Sequence, residues 1–287
     1  MEIRLRTLTP LWTGGVDRTP DRLHETGLIG SLRWWYEALV RGLGGYACDP
    51  TSDDRCPDHE GKHCAACEVF GCTSWARKFR LQILDEHDVL LQSSPQKDQD
   101  LQLHFIELRP MQGEEKWLLL QAVKICAQYG ALGGKTTLKP QQGKVGADYG
   151  IVKIISVNPD YSQAPANLSQ YLASFRQVMP TDAPDLRWFF FIQGGFLWRI
   201  QMNRLLGLDK NGRLLSKEDW QLFLRGERGG PEKPAKSKKI FSFQTDGGRI
   251  WGYAASREMR DRIINEIKKY LKEEFNVKTG EEVLNAL

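Results

Sequence analysis

No apolar run in this 287-residue sequence is long enough to span a bilayer: its densest stretches, residues 117–120 and 188–192, fall far short of the ~20 residues a span needs. Met1-Glu2-Ile3-Arg4-Leu5-Arg6 contains no apolar core of a secretory signal. The expectation is a soluble, cytoplasmic protein with no membrane partner. One-sided charge is also missing, because 40 Lys and Arg stand against 36 Asp and Glu. That excludes a tail that binds nucleic acid by charge alone and leaves the question to local patches. There is no nucleophile elbow, zinc-protease helix or paired-carboxylate motif. His24, beside Arg22 and Glu25, is a single candidate base with no second group in view. Cysteine is scarce, with six in all, yet five fall within residues 48–72. Such clustering argues against a disulfide framework spread over a secreted chain and for a metal.

What is present is alternation and helical periodicity in a recognisable order. Residues 2–8, 79–84, 101–108 and 151–157 read as half-buried strands. A helix is expected from about Ser31, with Leu28, Leu32, Trp35, Tyr36, Leu39 and Leu43 on one face, and a second over residues 114–128, closed by Gly130. Strand, helix, strand, strand, helix, strand is the ferredoxin-like order that RNA-recognition domains also use. After a Pro, Ser and Asn-rich linker at 158–184, a second unit begins near Leu186. It has an aromatic strand at 187–192, a helix at 196–206 and a hairpin turning on Thr245-Asp246-Gly247-Gly248. A final amphipathic helix follows Ser256. The fold class expected is therefore α+β, with two ferredoxin-like (RRM-like, βαββαβ) domains at 1–157 and 158–287. A cysteine-rich, zinc-binding insertion interrupts the first at about 46–72.

Three features carry chemistry. Cys48-x7-Cys56-x7-Cys64-x2-Cys67 offers four thiolates for a closed, structural zinc site, with His59, His63 and Cys72 in reserve. Its alternative is a polar loop of reduced, unpaired thiols, an oxidation hazard with no packing gain. Gly130-Ala131-Leu132-Gly133-Gly134-Lys135-Thr136, continuing to Gly150 with Lys139 and Lys144, suits either a phosphate-binding loop or a plain flexible connection. It is no P-loop, because Tyr129 stands where the first glycine belongs. Trp34 projects away from the apolar helix face, beside Gly30, Glu37 and Arg41. Packing under a loop or a second domain is the ordinary explanation of a lone Trp there. Stacking on a base, with phosphate at the amides of a helix start, is the other.

Three segments resemble one family: Thr9-Pro10-Leu11-Trp12-Thr13-Gly14-Gly15, the stretch Gly27-Leu28-Ile29-Gly30-Ser31-Leu32-Arg33-Trp34-Trp35-Tyr36, and Cys67-Glu68-Val69-Phe70-Gly71-Cys72-Thr73-Ser74-Trp75-Ala76-Arg77-Lys78-Phe79-Arg80. They are similar to the RAMP superfamily subunits that build type III-B (Cmr) CRISPR effector complexes. The resemblance implies two ferredoxin-like domains and a non-catalytic subunit of an antiviral ribonucleoprotein. That subunit would sit at one end, near the guide RNA 3′ region and the target RNA paired with it, among other Cmr subunits. Gly30, Ser31 and Arg33 match the family's helix start, and Gly133, Gly134 and Lys135 its glycine-rich loop, although residues 138–142 are an insertion. Phosphate contacts are expected from Arg33, Arg41, Arg77, Lys78, Lys135 and Lys144, with stacking by Trp34. The alternatives are a metal-independent RNA endonuclease using His24 and a scaffold that meets only protein.

Overall fold

The computed structural model describes residues 1–15, 22–50, 52, 55–136, 139–140, 148–178, 183–227, 229–230, 235–271 and 275–287. They divide into two compact units. The first is Met1–Gly134, Tyr149–Asp185 and Ala286–Leu287, and the second Lys135–Asp148 and Leu186–Asn285. This differs from a boundary at residue 157, because the stretch read as a linker packs on the first unit. Its short helix buries Tyr171 and Leu172, and Leu172 lies against Gly45, where an added Cβ would come within 3.1 Å of it.

In the first unit, alternating apolar and charged residues form β1 (Glu2–Thr7), and β2 (Phe79–Leu84), β3 (Asp100–Glu107) and β4 (Val152–Asn158) complete the sheet. The strand order is β2-β3-β1-β4, every pair antiparallel. Ile3 stands opposite Leu103 and Leu5 opposite Leu101, so one face carries the apolar residues. Helices α1 (Glu25–Gly42) and α3 (Gly113–Tyr129) bury Leu28, Leu32, Trp35, Leu39, Trp117, Leu118 and Ile125, and the short α2 (Ala65–Phe70) lies between them in sequence. The opposite sheet face presents Glu2, Arg4, Arg6, Arg80, Gln82 and His104.

One helix boundary departs from expectation. Leu28 and Ile29 extend the apolar stripe upstream through two glycines, so α1 begins at Glu25, with His24 at its cap and the His24 amide donating to Thr13 Oγ1 at 2.6 Å. Gly30 and Ser31 therefore sit inside the helix. The free amides belong to its first turn, not to the Gly-Ser step.

After α4 (Leu168–Ala173), the second unit repeats the order, with β5 (Phe189–Gln193), α5 (Arg199–Leu205), α6 (Asp219–Arg225), β6 (Ile240–Phe243), β7 (Arg249–Tyr253), α7 (Arg257–Lys268) and β8 (Asn276–Thr279). Its sheet runs β6-β7-β5-β8, all antiparallel. Two four-stranded antiparallel sheets with the same order fit two ferredoxin-like units. Ser256 caps α7 by accepting from the Met259 amide at 3.2 Å. Phe190, Ile192, Ile240 and Ile250 face the helices with Met202, Leu224, Ile263 and Ile267. β8 and the terminal α8 (Gly280–Leu284) leave little trace in the sequence, since Asn276-Val277-Lys278-Thr279 is short and mostly polar. No helix among the described residues is long and apolar enough to cross a membrane.

Candidate metal centre and nucleic-acid surface

The four cysteines read from the sequence come together. Cys48, Cys56, Cys64 and Cys67 are all buried, and their sulfurs lie within 4.8 Å of one another. Tetrahedral zinc with bonds of ~2.3 Å sets its sulfurs about 3.8 Å apart, inside that limit. The backbone is wound about the sulfurs. The Cys48 and Cys67 amides donate to Cys64 Sγ, each at 3.4 Å, and the Cys64 amide donates to Cys56 Sγ at 3.3 Å. Cys64 also caps α2, so the C-x2-C pair opens a helix. Hydrogen bonds from the Cys48, Cys56 and Cys67 thiols hold the Cys64 thiol well below its ordinary value, while Cys67, on the other side of those bonds, is pushed up. The reserve ligands are not part of this group of four. His59 is exposed, His63 Nε2 meets Glu68 Oε2 at 2.5 Å, and half-buried Cys72 donates to the Thr73 carbonyl.

Three cations expected to meet phosphate turn inward instead. Arg41 is 5 % exposed and donates to the carbonyls of Ala47, Cys48 and Pro184. Lys78 bridges Glu68 at 2.5 Å and Glu115 at 2.7 Å. Burial opposes its charge, but hydrogen bonds to Glu115 and Glu68 outweigh that and raise its pKa. Glu115, fully buried, also accepts from Tyr171 Oη at 2.9 Å and from the Gln112 amide at 3.0 Å. Arg33 donates to Glu37 at 2.7 Å, to the Gly71 carbonyl at 2.8 Å and to Cys67 Sγ at 3.2 Å. With their donors so engaged, these side chains build the fold around the cysteines. The sequence misses this because the partners that complete their burial, the Gly71 and Pro184 carbonyls and the Glu115 carboxylate, are far away in the chain. Arg77 is half-buried and takes part in none of these ion pairs.

The glycine-rich loop and α1 do meet. The Gly133 amide donates to Ser31 Oγ at 3.1 Å, and the Gly134 amide to the Trp12 carbonyl at 2.8 Å. An added Cβ at Gly133, whose φ is +84°, would lie 2.7 Å from that carbonyl, and one at Gly134 would lie 2.6 Å from the Trp12 ring. Close packing on Trp12 thus accounts for both glycines. Gly30 is different: it is exposed, and an added Cβ there would have no neighbour within 4 Å. Lys135 follows at once in the chain, exposed and with φ +57°. Trp34 is half-buried, its ring edge-on to Trp35 at 5.1 Å. Lys139, from the same loop, donates to Asn203 Oδ1 at 2.7 Å. Lys144 lies outside the described residues.

Residues 4–138 match the model of the RAMP superfamily. That span takes in nearly all of β1 through α3. This stretch of the chain is similar to that superfamily, in line with the resemblance read from the sequence. In structure the chain is similar to Cmr1 from Pyrococcus furiosus, with TM-score 0.52 and 11 % identity over 97 % of this chain and 98 % of that one. It is also similar to a chain of a type III-B Cmr-β assembly bound to cognate target RNA and AMPPnP, with TM-score 0.50 and 9 % identity over 94 % and 99 %. At these identities the likeness is one of fold. No curated protein matches the sequence.

Proposed function

We propose that the chain is a non-catalytic, RNA-binding subunit of a type III-B CRISPR effector complex, which holds guide RNA and paired target RNA among other Cmr subunits. The observation that carries this reading is the hydrogen bond from the Gly133 amide to Ser31. It joins the two segments that match the RAMP pattern, next to a helix surface left bare at Gly30. A strand can approach a bare helix face closely, and the exposed Lys135 follows Gly134 in the chain. Support also comes from the fold, since the similar Cmr-β assembly is bound to target RNA. Arg77 and Trp34 remain candidate contacts, whereas Arg33, Arg41 and Lys78 act through the scaffold.

The metal belonging to this reading is zinc, held by Cys48, Cys56, Cys64 and Cys67. Four sulfur donors favour a soft or borderline ion, and a closed set leaves no position for a reacting water. Zinc would therefore supply folding energy to the loop and no catalysis.

Titration of labelled single-stranded RNA at rising salt tests the function. Affinity should fall steeply with salt, without cleavage in magnesium or manganese. Binding with no salt slope, or none at all to the purified chain and its complex, would favour a scaffold that meets only protein. Cutting abolished by His24→Ala would favour the endonuclease.

A further inference from the structure

Two arginines from separate segments flank the cysteine centre. Arg33, on α1, donates to Cys67 Sγ at 3.2 Å. Arg176, just beyond α4, has Cys56 among the groups that hold its charge. Both side chains are mostly buried, at 18 % and 14 % exposed. Arg176 is fastened at further points: Nε meets Asp58 Oδ2 at 3.3 Å, its guanidinium lies 5.5 Å over the Tyr46 ring, and its amide donates to the His63 carbonyl at 3.4 Å. Residues 168–178 are thus attached to the first unit largely through the cysteine loop. Inside α4, Tyr171 adds its bond to Glu115.

The charges around the sulfurs decide what these contacts are worth. Arg33, Arg41 and Arg176 are the cations, and Glu37 and Asp58 are the carboxylates paired with them. Among these, cations exceed carboxylates by one charge; Arg33 points at sulfur, whereas Arg41 donates to carbonyls. A neutral thiol is a weak acceptor, whereas a metal-bound thiolate takes a strong, charge-assisted hydrogen bond. Four thiolates around a divalent ion carry surplus negative charge, and partners outside the coordination sphere hold such ligands in place.

We propose that Arg33 and Arg176 are the outer charge partners of a metal–tetrathiolate centre, and that metal binding thereby clasps residues 168–178 onto the first unit. The inference rests on the metal reading above. It goes beyond it because the metal would then also hold in place the segment that leads to the second unit.

Hydrogen exchange of the full chain, measured with zinc bound and after chelation under reducing conditions, tests this while metal content is followed separately. In the unaltered protein, amides of residues 168–178 should exchange at least tenfold faster once zinc is removed. Arg176→Gln should keep its zinc yet show fast exchange in both states. Asp58→Asn, which leaves Arg176 and Cys56 in place, should retain the zinc dependence. Equal protection of 168–178 with and without zinc, in protein shown to bind it, would overturn the clasp and leave the metal site standing. A chain that takes up no zinc at all would remove both.

Discussion

The two sheets share one strand order and differ in what lies on the face away from the helices. In the first, Glu2, Arg4, Arg6, Gln82 and His104 are wholly or partly exposed, and no Phe, Tyr or Trp stands among them. In the second, Phe189, Phe191, Phe241, Phe243, Trp251 and Tyr253 occupy the same position and are all buried, none above 8 % exposed. Phe241 and Trp251 stack at 4.0 Å and Phe189 and Tyr253 at 5.2 Å. RNA-recognition domains stack bases on aromatic residues of an open sheet. Here one sheet is open without Phe, Tyr or Trp, and the other has those rings without openness. The likeness to RNA-recognition domains is therefore one of topology, and the RNA surface we propose lies instead on α1 beside the glycine-rich loop.

The largest effect expected from this comparison is at Trp251. Trp251→Ala should cost about 3–5 kcal/mol, as truncation of a large buried ring usually does, whereas Gln82→Ala on the open sheet should stay within about 0.5 kcal/mol. Denaturant midpoints measure both. A Trp251→Ala protein of unchanged stability and lost RNA affinity would show the second sheet to be a stacking platform after all. A smaller effect belongs to Asp100, beside Arg6 on the first sheet at 2.6 Å. The hydrogen bond from Arg6 holds the Asp100 carboxyl below its usual value. Its contribution is therefore complete above the unfolded pKa of about 4 and is lost as pH falls through the lower, folded value. Asp100→Asn should remove this small acid-side dependence from a pH series of melting temperatures, and high salt should mask it, because the pair is exposed. An unchanged acid limb would mean that the pair contributes nothing.

Strand alternation made β1, β2 and β3 legible, and the cysteine spacing pointed to the four sulfurs that the fold assembles. The start of α1 was not legible, because Gly27 and Gly30 look like a boundary. Only tertiary packing of Leu28 and Ile29 carries the helix through them. The inward turn of Arg33, Arg41 and Lys78 was hidden for a different reason. A charged residue in a helix or after a turn reads as solvated, and its burial depends on acceptors such as the Pro184 carbonyl and Glu115 that no local pattern reveals. The segment at 158–184 read as a linker from its Pro, Ser and Asn content. Tyr171, Leu172 and Arg176 nevertheless anchor it to the first unit.

The central claim, that RNA runs over the bare face of α1 beside the glycine-rich loop, is tested most directly at Gly30. That position is exposed with open space at its Cβ, so a side chain there fits the fold and replaces a poor helix former by a better one, a gain of ~0.5–1 kcal/mol. Gly30→Glu should therefore melt no lower than the unaltered protein and bind RNA at least about tenfold more weakly, a loss of ~1.4 kcal/mol. Gly30→Gln should show the part of that loss due to bulk alone. Full RNA affinity in a stably folded Gly30→Glu protein would contradict the account.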